Sequence, residues 1–198
     1  MSNRRRFVAT AIALTLVVGA GAIGYATFLM TPQVRAADSF GTAFTLTDDR
    51  GEPITEKALS GHPSLVYFGY THCPDVCPTT LYDMAGWFKT LGPQADGLKA
   101  YFFTVDPERD TPEIMHDYTG NFTDRITGIT GDPTEMQKAI KGWRIYAKKV
   151  PGADGGYTMD HTASVLLVDA GGNLRGTIAY QENNDVALQK IRNLPQQN

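Results

Sequence analysis

The sequence predicts an α/β layer fold with parallel strand pairs, opened by an N-terminal hairpin and preceded by one membrane-spanning segment. Three observations carry this reading. Strand-like and helix-like stretches alternate through the middle of the chain, short hairpins frame them, and residues 7–30 form an apolar run without a single charge. Of the 198 residues, roughly 160 lie beyond that run and the short tether after it, a length that suits one domain with one sizeable core.

Phe44-Thr45-Leu46-Thr47 alternates like a strand, Asp48-Asp49-Arg50-Gly51 supplies turn chemistry, and a second short strand follows around Pro53-Ile54-Thr55. Ser64-Leu65-Val66-Tyr67-Phe68 is a compact apolar run between Pro63 and Gly69, as expected of a strand buried on both faces. A helix is predicted from Pro78 to Leu91, with Leu81, Met84, Ala85, Phe88 and Leu91 at helical spacing and Gly92-Pro93 as its stop. Alternation continues with a strand over Lys99 to Val105, a helix from Thr111-Pro112-Glu113, a short strand over Thr127 to Thr130 and a helix from Pro133 to Trp143. Trp87 and Trp143 sit among apolar neighbours on those helices and read as packing residues. A further strand over Ile145 to Val150 precedes the loop Pro151-Gly152-Ala153-Asp154-Gly155-Gly156, flexible by composition, which is expected to lead directly to His161. Ser164 to Asp169, the turn Ala170-Gly171-Gly172-Asn173 and Leu174 to Tyr180 form a hairpin, and a helix over Asn184 to Leu194 closes the fold.

The N-terminus divides into a basic cluster at residues 1–6, the apolar stretch at 7–30 and a polar tether at 31–39, with the folded domain at 40–198. As a helix the 24-residue stretch from Phe7 to Met30 would reach roughly 36 Å, enough to cross a hydrocarbon core of about 30 Å. A secretory signal carries a shorter apolar stretch, so an uncleaved transmembrane anchor is the preferred reading. Two others stay open: small residues around Val34-Arg35-Ala36 offer a cleavage site, and Arg4-Arg5-Arg6-Phe7-Val8 resembles a twin-arginine export signal. Each delivers the domain across the membrane, with Arg4, Arg5 and Arg6 kept on the cytoplasmic side. In a bacterium the domain then lies in the periplasm; in a mitochondrion it lies in the intermembrane space.

The formal net charge is −3, with 18 basic and 21 acidic residues. Arg4, Arg5, Arg6 and Arg35 all precede the first acidic residue, Asp38, so 18 less 4 leaves 14 basic against 21 acidic residues from Asp38 onward. That acidic balance argues against a nucleic-acid partner.

The chemistry concentrates in Phe68-Gly69-Tyr70-Thr71-His72-Cys73-Pro74-Asp75-Val76-Cys77-Pro78, where a buried strand gives way to a helix. Ligands gather at such strand ends in α/β folds. Both cysteines precede a proline, which places Pro78 at the first helical position and Cys77 at the cap. A thiol there meets the positive end of the helix dipole, and the thiolate it favours binds metals or attacks disulfides. Three intervening residues allow either a disulfide or a shared ion, so a structural or redox disulfide and a metal clip both remain open. Thiolates select soft ions such as Cu(I) or Zn(II), and an imidazole as third donor suits copper.

Four histidines are available. His161, in Tyr157-Thr158-Met159-Asp160-His161-Thr162, stands between the glycine loop and the strand at Ser164, an entry point at the end of the sheet. Asp160 beside it is a candidate to orient the imidazole or to visit the metal as a weak fourth ligand. His72 adjoins Cys73 but is expected to face the other way, and His62 and His116 fall in a loop and on a helix surface. Met159 is the one thioether near His161, and packing is its expected role.

With the Tyr67–Pro78 stretch, Asp106-Pro107-Glu108-Arg109-Asp110-Thr111 and Asp160-His161-Thr162 in this order, the chain resembles the Sco/SenC family of copper proteins over residues 40 to the end. The resemblance implies a thioredoxin-like fold, a mixed central sheet flanked by helices. It also implies one copper, Cu(I) or Cu(II), held by Cys73, Cys77 and His161. The family role it implies is assembly of the dinuclear copper centre of cytochrome c oxidase, with the oxidase's copper-binding subunit, other copper chaperones and thiol reductants as partners. It marks Asp106 to Thr111 without giving that segment a task; physically, Thr111 is expected to cap the helix that begins at Pro112.

An enzyme on the same scaffold is the rival: a thiol-disulfide reductase using Cys73 and Cys77, or a thiol peroxidase. Thioredoxins place two residues between their cysteines and usually a cis-proline opposite them. Here three residues intervene and His161-Thr162 leads into the corresponding strand, which favours metal over exchange.

Overall fold

The computed structural model describes residues 41–153 and 155–194. The basic cluster, the apolar stretch and the tether expected at the N-terminus lie outside the described residues. Among the described residues, no helix is long and apolar enough to cross a membrane.

Seven strands form one mixed sheet. They are β1 (Thr45–Asp48), β2 (Pro53–Thr55), β3 (Ser64–Gly69), β4 (Lys99–Thr104), β5 (Ile126–Thr130), β8 (Val165–Val168) and β9 (Leu174–Ile178), in the order β2-β1-β5-β4-β3-β8-β9. The three central strands β5, β4 and β3 run parallel, and antiparallel pairs close both sides. Among the described residues the α-helices are α1 (Val76–Leu91), α2 (Pro112–Gly120), α3 (Pro133–Gly142) and α4 (Asn184–Asn193). The predicted alternation of elements and the N-terminal hairpin, with Leu46 opposite Ile54, are thus observed.

All six residues of β3 are buried, as its unbroken apolar run requires of a strand covered on both faces. Successive side chains alternate between two aromatic layers. On one face Phe68 stacks on Phe103 at 5.0 Å, near Trp143; on the other Tyr67 stacks on Phe102 at 5.8 Å, near Tyr118. Gly69 continues the second face, where a Cβ would stand 2.8 Å from both Cys77 Sγ and a ring carbon of Phe102. The strand therefore ends in glycine where the cysteine sulfur occupies the space a side chain would need.

Two expectations are corrected. Helix α1 begins at Val76 with Asp75 as its cap, so Cys77 lies inside the first turn rather than at the cap. Pro78 is tolerated as the third helical residue because first-turn N–H groups have no intrahelical acceptor to lose. The second concerns the approach to His161. The strand β6 (Ala147–Pro151) does not join the main sheet but pairs with an unforeseen strand, β7 (Tyr157–His161), in a separate two-stranded ribbon. The glycine segment is the turn of that ribbon, closed by Gly152 N–H donating to the Gly156 carbonyl at 2.8 Å, and His161 is the last residue of a strand.

Candidate metal centre

The loop from Tyr70 to Asp75 turns back on itself, with Cys73 N–H donating to the Tyr70 carbonyl at 3.3 Å. Asp75 makes no side-chain cap bond, and the N–H of Cys77 instead meets the Cys73 sulfur at 3.4 Å. A first-turn donor that helix geometry leaves without a partner is thereby satisfied by a ligand atom. Cys77 is buried and Cys73 is half-buried; both are free thiols. The Cys77 thiol donates toward Cys73 and holds the Cys73 thiol well below the ordinary cysteine range, against the opposing effect of burial. The same bond, together with burial, pushes Cys77 upward.

His161 arrives from the ribbon. Along β7, Tyr157 and His161 are half-buried and Met159 buried, while Thr158 and Asp160 are exposed, so the first three share the inward face. His161 Nδ1 lies 2.9 Å from the Thr162 carbonyl. A carbonyl only accepts, so Nδ1 carries the ring proton and Nε2 presents its lone pair. Nε2 is 3.3 Å from Cys77 Sγ. Tyr67 and Tyr70 meet the imidazole edge-on, with ring centroids 6.2 and 5.8 Å away. Thr162 is itself pinned, since its N–H donates to the Tyr146 carbonyl and its hydroxyl accepts from Tyr146 N–H, both at 3.0 Å. The orienting part expected of Asp160 therefore falls to a backbone carbonyl, because a strand turns the side chain before His161 the opposite way. Met159 packs in the core.

Cys73 Sγ, Cys77 Sγ and a His161 ring nitrogen all lie within 4.8 Å of one another, the one such group of metal-capable side chains among the described residues. Three donors arranged around one ion at about 2.0–2.3 Å stand roughly 3.3–4.0 Å apart. A spacing within 4.8 Å thus lies at most about an ångström from that range, and a set of two sulfurs and one neutral imidazole suits a soft or borderline ion.

The other histidines stay apart. His72 is exposed, with Nδ1 3.0 Å from Thr71 Oγ1; His62 Nδ1 is 3.1 Å from Ser64 Oγ; His116 is exposed near Asp49. Sequence reasoning missed Thr71 and Tyr157. The Thr71 N–H and hydroxyl donate to buried Asp110 at 3.1 and 2.6 Å, and the Tyr157 hydroxyl donates to buried Asp106 at 2.9 Å. The alternation Tyr157-Met159-His161 was the available signal for the strand. Thr111 caps α2 as expected, its side chain accepting from Ile114 N–H.

The comparisons agree with this geometry. The SCO1/SenC family model matches residues 32–196. The SCO2-like protein of Rickettsia prowazekii is 33% identical over 172 residues, covering 81% of this chain and 84% of that protein. The structure of Bradyrhizobium japonicum ScoI with copper bound is 44% identical, with a TM-score of 0.73 over 79% of this chain and 99% of that one. Yeast Sco1 with copper bound is 32% identical, with a TM-score of 0.74 over 81% and 90% of the two chains. A mixed sheet whose parallel centre ends at two cysteines, a histidine brought over them by a separate ribbon, and a family match running nearly the length of the chain together make this protein a member of the SCO1/SenC family.

Proposed function

We propose that this protein holds one copper ion through Cys73, Cys77 and His161 and serves as a copper chaperone in assembling the dinuclear copper centre of cytochrome c oxidase. The observation that carries the proposal is the convergence of the two sulfurs and the imidazole within 4.8 Å. The solved relatives named with copper support the choice of ion. The ring proton on Nδ1 leaves Nε2 free to donate to the ion, and the two thiols give up their protons on binding. Membership of the family supports the oxidase's copper-binding subunit as recipient, with other copper chaperones or thiol reductants as suppliers.

The apolar stretch over residues 7–30 supports a single membrane anchor with the domain on the non-cytoplasmic side. Copper titration of the reduced protein under anaerobic conditions tests the binding. It is expected to saturate near one ion per chain, and uptake unaffected by Cys73→Ala and Cys77→Ala would reject the site.

One observation favours a second reading. Cys73 is the more acidic and more accessible thiol and Cys77 the buried one, the arrangement of an attacking and a resolving sulfur. The reduced pair can then reduce a disulfide in the oxidase subunit, before or instead of delivering copper.

A further inference from the structure

The cysteines and His161 reach the site on separate pieces of chain, and one loop touches both. That loop, residues 105–111, is rooted in the sheet. Val105 N–H donates to the Gly69 carbonyl at 2.7 Å, Asp106 N–H to Thr104 Oγ1 at 2.8 Å, and the Thr130 hydroxyl to the Asp110 carbonyl at 2.6 Å. The Asp110 carboxylate, fully buried, accepts from the Thr104 hydroxyl at 2.5 Å and from both donors of Thr71, two residues before Cys73. The Asp106 carboxylate, 1% exposed, accepts from the Tyr157 hydroxyl at 2.9 Å and pairs with Arg109. Arg109 returns to the same tyrosine: its guanidinium lies 3.7 Å from the Tyr157 ring centre and its Nη1 3.3 Å from the Tyr157 carbonyl. Lys149 Nζ, paired with Glu108, stands 4.1 Å from that ring. Tyr157 is on the inward face of β7, four residues before His161.

We infer that this loop is a joint that fixes the spacing between the two halves of the site. Asp110 positions the cysteine loop through Thr71, and Asp106 with Arg109 positions the His161 strand through Tyr157. The inference deepens the copper-binding reading and rests on it. Two carboxylates four residues apart on one anchored loop each hold a different ligand-bearing segment, so neither segment can shift without breaking bonds to a common base. A buried carboxylate that loses a donor holds its segment less firmly, and the opening is local because the loop's roots in the sheet stay intact.

The test uses the full chain, reduced and metal-free, with two substitutions that each remove one hydroxyl. Tyr157→Phe should speed hydrogen exchange of the amides in residues 158–161 roughly tenfold and leave residues 71–77 at the wild-type rate. Thr71→Val should do the reverse. Loaded with Cu(II), Tyr157→Phe should weaken the imidazole nitrogen coupling in the electron paramagnetic spectrum while keeping the sulfur-to-copper absorption. Thr71→Val should shift that absorption and keep the coupling. Wild-type exchange in both segments, or acceleration spread evenly over the domain, would overturn the joint. If the wild-type protein takes up no copper, the copper reading falls on its own, and the exchange pattern still decides whether the two arms exist.

Discussion

Cys77 Sγ and His161 Nε2 stand 3.3 Å apart across 84 residues of chain, and each is held by its own element. The sulfur is fixed in the first turn of α1 beneath Gly69, and the imidazole is fixed by the Thr162 carbonyl at the end of β7. Cys73, half-buried on the loop before the helix, is held by its N–H bond to the Tyr70 carbonyl and by the Cys77 N–H at its sulfur. The three donors are therefore set by three different pieces of chain: a helix turn, a strand end and the loop before the helix.

Replacing a set donor should cost most where that donor's chemistry matters most. His161→Ala is expected to lower Cu(II) affinity at least roughly tenfold, because imidazole suits that valence, while the two thiolates retain part of the Cu(I) affinity. Competitive titration in each valence measures the difference. Equal affinities in mutant and wild type would remove His161 from the site.

Gly69→Ala tests the packing beneath the sulfur. The new methyl would lie 2.8 Å from Cys77 Sγ and from a Phe102 ring carbon, closer than any real contact, so the sulfur or the ring must move. Overpacking of this kind costs about 1–3 kcal/mol. Urea unfolding should show a loss of that size, and copper binding should weaken with it. A variant as stable as wild type with full copper affinity would mean the sulfur is not confined there.

Most of this layout can be read in the sequence, because apolar runs and turn residues report directly on burial and chain reversal. Ser64–Gly69 could be placed as a central strand on its pattern alone. The ribbon could not. Its strands bury one face only partly and carry Lys148, Lys149, Thr158 and Asp160, so glycine composition outweighed the faint alternation of Tyr157, Met159 and His161. Asp160 looked like the partner of His161 because it is adjacent, yet adjacency on a strand means opposite faces. The Asp106–Thr111 segment was visible only by resemblance: its carboxylates act on Thr71 and Tyr157, 39 and 51 residues away, and no local pattern encodes such contacts.

Burial raises the pKa of Asp110, against the pull of the Thr104 and Thr71 donors and with help from nearby Asp106. The folded state thus binds that proton more tightly than the unfolded chain does. The contribution of Asp110 to stability is fullest below the ordinary carboxylate value, about 3.9, and declines as pH rises through the higher folded value. Asp110→Asn does not titrate. It should be less stable than wild type by about 1–3 kcal/mol through its mismatched donors, and the gap should narrow from mild acid toward neutrality. Urea midpoints of both proteins across that range decide the sign, and a gap widening toward neutrality would contradict it.

The two thiols should differ sharply in reactivity. Cys73 is half-buried and its pKa is lowered chiefly by the bond from the Cys77 thiol, so it stays largely thiolate in mildly acidic solution. Cys77 is buried, and its pKa is raised by that same bond and by burial, so it stays a thiol at neutrality. Iodoacetamide applied to the reduced, metal-free protein just below neutral pH should therefore modify Cys73 first, with Cys77 following only under denaturing conditions. Peptide mass spectrometry reads the order. One stoichiometric ion bound by both sulfurs should protect Cys73 as well, whereas a protein working only as a reductant would be alkylated at Cys73 equally fast with or without copper. Comparable rates at the two cysteines in the metal-free protein would show that the hydrogen bond between them does not set their acidity. Protection by copper, set beside the loss of that protection in His161→Ala, then separates an ion held by all three side chains from one held by sulfur alone.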